Sequence, residues 1–113
     1  MIAVLFELEP KAGRASNYFD LAEGLKAQLQ TIDGFISIER FESVNQRGKF
    51  LSLSFWRDED AVARWRNWVP HRAAQSEGRA SIFNDYRLRV ATVIRDYGMR
   101  DRAQVPKDSA LAD

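Results

Sequence analysis

The feature that most constrains this chain is the way its hydrophobic period switches between two residues and about three and a half. Residues 2–9 place Ile2, Val4, Phe6 and Leu8 on one face and Ala3, Leu5, Glu7 and Glu9 on the other, which is the period of a strand. Pro10 and Gly13 close it. Tyr18, Leu21, Ala22, Leu25 and Leu29 then recur at helical spacing to about residue 31, with Ser16 as the expected N-cap. Gly24 weakens that helix slightly and offers close packing on a sheet. Asp33-Gly34 marks a turn, after which the period returns to two.

Residues 35–43 read as a second strand, with Ile36 and Ile38 on one face and Phe35 and Phe41 on the other. The connection Asn45-Gln46-Arg47-Gly48 predicts a hairpin into residues 49–56, where Leu51, Leu53 and Phe55 oppose Phe50, Ser52, Ser54 and Trp56. Asp58 is placed to cap a second helix, with Glu59 and Asp60 favourable in its first turn. Its apolar stripe is Ala61, Val62, Trp65, Trp68 and Val69, and Pro70 should end or kink it. A short helical piece is expected from His71 to Gln75, then a loop over Ser76-Glu77-Gly78-Arg79, then a fourth strand over residues 86–97. The remainder, 98–113, is charged and poor in large apolar groups, and is expected to be irregular or to pack on a partner subunit.

The element order is therefore βαββαβ, an α+β arrangement of the ferredoxin-like kind: an antiparallel sheet with two helices on one face. Residues 1–97 form the one domain and 98–113 its tail. The strands carry large apolar groups on both faces, yet two helices cover only one. The uncovered face needs a cover, and a second copy of the same sheet is the economical one, giving a homodimer. The tail folding back over that face is the alternative.

Charge and composition remove several function classes. With 17 Lys+Arg against 16 Asp+Glu there is no electrostatic case for nucleic acid or an anionic membrane. The chain has no cysteine, so disulfides, thiolate catalysis and cysteine-bound metals are excluded, and its single histidine, His71, rules out a multi-histidine metal site within one chain. No apolar run reaches the length of a membrane span, and the N-terminus lacks the pattern of a signal peptide, so a cytoplasmic location is expected. There is no phosphate-binding glycine loop, G-x-S-x-G or H-E-x-x-H.

Several features together resemble the antibiotic biosynthesis monooxygenase family, whose members are dimeric α+β barrels. They are Trp56 ending a strand, acidic residues opening a helix, Trp65, the run H-x-x-A-Q at His71 to Gln75, and a closing Y-R-x-x-V strand. The resemblance covers residues 1–97 as a pattern of elements and is sharpest from Leu51 to Tyr97. It implies a monooxygenase acting on a small aromatic or quinol-type compound with no metal or flavin. An electron-rich, deprotonated substrate can itself give an electron to oxygen, so the protein need only bind, deprotonate and exclude water. The haem-degrading branch implied by the same resemblance uses an Asn on the first strand, a Trp on the second helix and a His as axial ligand. Trp65 matches the Trp, but IAVLFELE has no Asn, and the ligand position falls near Gln75, a poor haem-iron ligand.

Each candidate residue has a plainer reading beside the functional one. His71 is a base or hydrogen-bond donor, or else a surface histidine after Pro70. Trp65 binds a substrate ring, or packs on the sheet with Trp68, three residues on. Phe6 and Trp56 line a cavity, or are core. Tyr86 donates to substrate, or staples the start of a strand. Arg40, Arg87, Arg89 and Arg95 are solvated or paired on the sheet, or one of them holds an anionic oxygen in a cavity. Glu7, Glu9, Glu39 and Glu42 read as strand-surface charges rather than an acid–base pair. The expected catalytic residues are thus His71 and Trp65, the expected substrate contacts Phe6, Trp56, Trp68 and Tyr86. No metal is expected and haem is the alternative cofactor. A non-catalytic dimeric module that sequesters a small ligand, or serves in stress, is the remaining alternative.

Overall fold

The computed structural model describes residues 1–68, 72, 73, 76 and 81–109. Its elements are β1 (Ile2–Pro10), α1 (Ala15–Leu29), β2 (Phe35–Glu42), β3 (Phe50–Trp56), α2 (Glu59–Arg66) and β4 (Phe83–Thr92). The four strands form one antiparallel sheet in the order β2-β3-β1-β4. This is the ferredoxin-like α+β fold that the order of periods predicts.

The period-two face of β1 decides where the core lies. Ile2 and Val4 belong to one apolar cluster with Leu29, Trp56, Ala61 and Val62, and Phe6 and Leu8 belong to a second with Tyr18 and Ile82. Both clusters therefore form on the helix-covered face, one beneath α2 and the end of α1, the other beneath the start of α1. Trp56 is 1% exposed, and its indole N–H is not left dry: Nε1 donates to Ser54 Oγ at 2.9 Å. Asp58 caps α2 as expected, its Oδ1 accepting from the Ala61 N–H at 2.9 Å.

Four local expectations are corrected. The first helix is capped at Arg14, with no side-chain capping bond, so Ser16 lies inside it. A Cβ at Gly24 would meet nothing within 4 Å, so that glycine serves no close approach. In β2 the register shifts between Phe35 and Ser37, a bulge that adds one residue and resets the alternation. As a result Phe35 turns inward and meets Trp56 edge-on, with ring centroids 5.3 Å apart, while Ile36 is 52% exposed. The last strand starts and ends earlier than residues 86–97. It begins opposite Pro10 and ends at Thr92 opposite Ile2, with one further bond from Val93 N–H to the Met1 carbonyl, because β1 offers no partner beyond its own first residue. Residues 93–109 contain no helix or strand.

In the connection between α2 and β4, Arg72 and Ala73 are helical, and so is Ser76, where a loop is expected. α2 ends at Arg66, so Trp68, expected on its apolar stripe, lies past its end. Val69, Pro70, His71, Gln75 and the loop residues Glu77, Gly78 and Arg79 lie outside the described residues. No helix among the described residues is long and apolar enough to cross a membrane.

On the helix-free face, Leu5, Leu51, Leu53 and Phe55 are half-buried and Phe41 is exposed. Charges occupy the β4 side of that face. Glu7 Oε2 lies 3.4 Å from Arg89 Nη1 and 4.0 Å from Lys49 Nζ, so this carboxylate is a surface ion-pair partner, as its position on the strand predicts.

Candidate functional site

A cavity of about 240 Å³ opens between the helices and the sheet. Its floor is the inward face of all four strands: Val4 and Phe6 from β1, Ile38 and Arg40 from β2, Ser52, Ser54 and Trp56 from β3, Leu88 and Val90 from β4. Its roof is Tyr18, Leu21, Ala22, Leu25 and Leu29 from α1 with Val62, Trp65 and Arg66 from α2, and Phe83 at the start of β4 completes the lining. Space exists because the central strand β3 presents two serines where a filled core would carry larger side chains. Leu88 and Val90 remain 49% and 47% exposed, so the cavity is open along β4.

The walls are mostly apolar and aromatic. Phe6 meets Phe83 and Tyr86 edge-on, at centroid distances of 5.6 and 5.7 Å. Trp65 stacks on Trp68 at 5.3 Å with 22° between the ring planes, so the indole that lines the cavity is backed by a second. Polar groups are few. Arg40 Nε donates to the Tyr18 hydroxyl at 3.3 Å, and Ser54 accepts from Trp56. Among the described residues, no cluster of three or more acidic or histidine side chains is arranged to hold a metal ion.

The sequence model of the antibiotic biosynthesis monooxygenase family matches residues 1–77. The chain belongs to that family. It is 44% identical over 93 residues to the jasmonate monooxygenase ABM of Pyricularia oryzae, covering 82% of this chain and 43% of that protein. It is 31% identical over 93 residues to YqjZ of Bacillus subtilis, covering 82% of this chain and 79% of that one. The chain thus spans less than half the length of the Pyricularia relative. Among solved structures, Rv0793 from Mycobacterium tuberculosis superposes with a TM-score of 0.76 at 15% identity, covering 86% of this chain and 98% of that one. A Deinococcus radiodurans protein proposed to be an antibiotic biosynthesis monooxygenase does so with a TM-score of 0.77 at 16% identity, covering 88% and 98%. At those identities the structures speak for the fold.

In this member of the family, Phe6, Trp56 and Trp65 stand around one cavity. Trp68 and Tyr86 do not line it: each supports a lining ring from behind or beside, Trp68 against Trp65 and Tyr86 against Phe6. His71 lies outside the described residues. Of the four arginines expected on strands, Arg95 lies beyond the end of β4. Only Arg40 reaches the cavity, and Arg89 is engaged with Glu7 on the opposite face. Sequence reasoning did not single out Tyr18, Ser52 or Ser54 as site residues. The serines carry a visible signal, two small polar groups on the inward face of a strand otherwise built from Leu, Phe and Trp. Tyr18 carries none, because a tyrosine at a helical core position reads as packing.

Proposed function

We propose that the chain is a monooxygenase that holds a small aromatic or quinol-type compound in the cavity between the helices and the sheet and oxidises it without metal or flavin. The observation that carries the reading is the aromatic cavity itself, bounded by Phe6, Trp56 and Trp65, in a chain 44% identical to a protein named as a monooxygenase. In the proposed reaction a methylene carbon flanked by an aromatic or carbonyl system loses a proton to a base. The carbanion passes one electron to dioxygen, the resulting radical pair combines to a peroxide, and protonation followed by loss of water leaves a carbonyl. In net balance the methylene gives up both hydrogens, one oxygen atom of dioxygen becomes the carbonyl oxygen, and the other leaves with those hydrogens as water. The substrate supplies all the electrons, so the protein's tasks are deprotonation, orientation and a dry enclosure. Trp65 is the proposed ring contact. His71, the chain's one imidazole, is the proposed base.

The proposed working unit is a homodimer. The half-buried Leu5, Leu51, Leu53 and Phe55 with the exposed Phe41 make an apolar patch on the helix-free face, and an isologous contact between two such faces would remove it from water.

The test is oxygen uptake with purified, metal-depleted protein over a panel of anthrones and quinols, with jasmonate added because of the Pyricularia relative's name. The expected result is one dioxygen consumed per substrate, lost in the Trp65→Ala and His71→Ala proteins. Undiminished turnover in both variants removes the residue assignments. Saturable haem binding with no quinol turnover redirects the reading to the haem-degrading branch, and ligand retention without oxygen uptake redirects it to a sequestering module.

A further inference from the structure

We infer that Arg40, Tyr18 and Ser52 form an anion-binding end to the cavity, so that its preferred ligand is an apolar ring compound bearing a carboxylate. This rests on the cavity being the ligand site, as proposed above, but not on the oxidation chemistry. Arg40 on β2 and Ser52 on β3 are directly paired across the two strands, and both line the cavity. Ser52 is 8% exposed, and its hydroxyl has no hydrogen-bond partner among the described residues. A hydroxyl so buried is costly unless something completes it. Tyr18, 6% exposed, accepts from Arg40 Nε, which leaves its own O–H proton unspent among the described residues. That bond uses one of the guanidinium's donors and leaves the terminal nitrogens. No described carboxylate lies within ion-pair distance of Arg40, whereas Arg57, Arg64 and Arg89 all have one.

Three elements therefore bring a fixed positive charge and two hydroxyl donors to one end of an otherwise apolar cavity, with no carboxylate among the described residues to match. A neutral quinol does not need this arrangement. A carboxylate does: it can take a forked pair of bonds from Arg40 and one from each hydroxyl, while its ring lies against Phe6, Trp56 and Trp65.

The test is anaerobic binding of 2-naphthoate and of its methyl ester to the whole chain, followed by ligand and tryptophan fluorescence. The acid is expected to bind at least about tenfold more tightly than the ester, the scale of a charge-assisted bond made in a dry site. Arg40→Gln is expected to bring the two within about twofold of each other, and Ser52→Ala to cut the preference severalfold without weakening the ester. Circular dichroism of each variant reports folding, and the acid–ester comparison on the unaltered protein needs no variant. Equal affinities, no binding of either compound, or a preference kept by folded Arg40→Gln would each overturn the inference. If the acid is preferred but no compound in the oxygen-uptake panel is consumed, the anion site stands and the oxygenase reading falls.

Discussion

A Cβ added at Gly34 would stand 2.6 Å from the Cβ of Ala61, nearer than two non-bonded carbon atoms approach. Gly34 has φ of +91° and its carbonyl accepts from the Arg57 N–H at 2.7 Å, so the turn before β2 is pressed against the first turn of α2. Ala61 is fully buried, and its Cβ, unlike the end of a long side chain, cannot swing aside. Gly34→Ala is expected to destabilise the fold by about 2–4 kcal/mol, from the left-handed backbone and the overlap together. Urea unfolding measures this, and a loss under about 0.5 kcal/mol would show that the corner opens freely.

The same corner makes stability fall in acid. Arg57 bonds both Asp33, at 3.1 and 3.2 Å, and Asp58, at 2.9 Å, and Arg64 lies 3.8 Å from Asp33. Hydrogen bonding from Arg57 holds both carboxyls below their ordinary value of 3.8, helped at Asp58 by the Ala61 N–H. A depressed carboxyl pKa stabilises the folded state fully above the unfolded value, and the effect is lost as pH falls through the folded one. Stability should therefore be level near neutrality and drop below about pH 3.8. Both groups are solvent-exposed, so the drop should be small and weakened by salt. In Asp33→Asn the pH slope should be shallower, and an unchanged slope would place the acid sensitivity elsewhere.

Trp56 joins the core to the cavity. Replacing it with alanine empties the largest buried side chain and is expected to cost about 3–5 kcal/mol. Trp56→Phe keeps most of the volume but strands the Ser54 acceptor, at an expected cost of about 1–2 kcal/mol. The two values from chemical denaturation should differ clearly. Similar values would mean that the indole N–H, not the ring, holds the site together.

The helix-free face offers an independent test of association. Leu53→Glu places a charge among Leu5, Leu51 and Phe55 without touching the cavity. Sedimentation should show a dimer for the unaltered chain and a monomer for the variant at the same concentration. A monomer in both cases would remove the homodimer.

What the sequence makes legible here is whatever depends on one element at a time. The period of β1, the Asp58 cap and the Ala61, Val62 and Trp65 part of the α2 stripe each follow from neighbours in the chain. Phe35 and Ile36 exchange faces because a bulge is decided by how β2 pairs with β3, which no local pattern reports. The fourth strand stops at Thr92 although Val93 and Ile94 continue the apolar run, because a strand ends where its partner does. The site divides the same way. Aromatic residues on inward faces are readable as wall candidates, but the meeting of Tyr18, Arg40 and Ser52 is made by three elements converging and exists only in the folded chain.

The two serines of β3 have a consequence for how such a cavity changes. They sit on a strand paired on both sides, so its backbone cannot easily shift. The size of what the cavity admits can then be adjusted by side-chain volume at position 52 without redrawing any loop, whereas a change at position 54 also removes the acceptor of the Trp56 indole N–H. Chains that keep this backbone but differ there would sort compounds by length and girth, so the scaffold can diversify in what it admits while the surrounding framework stays constant.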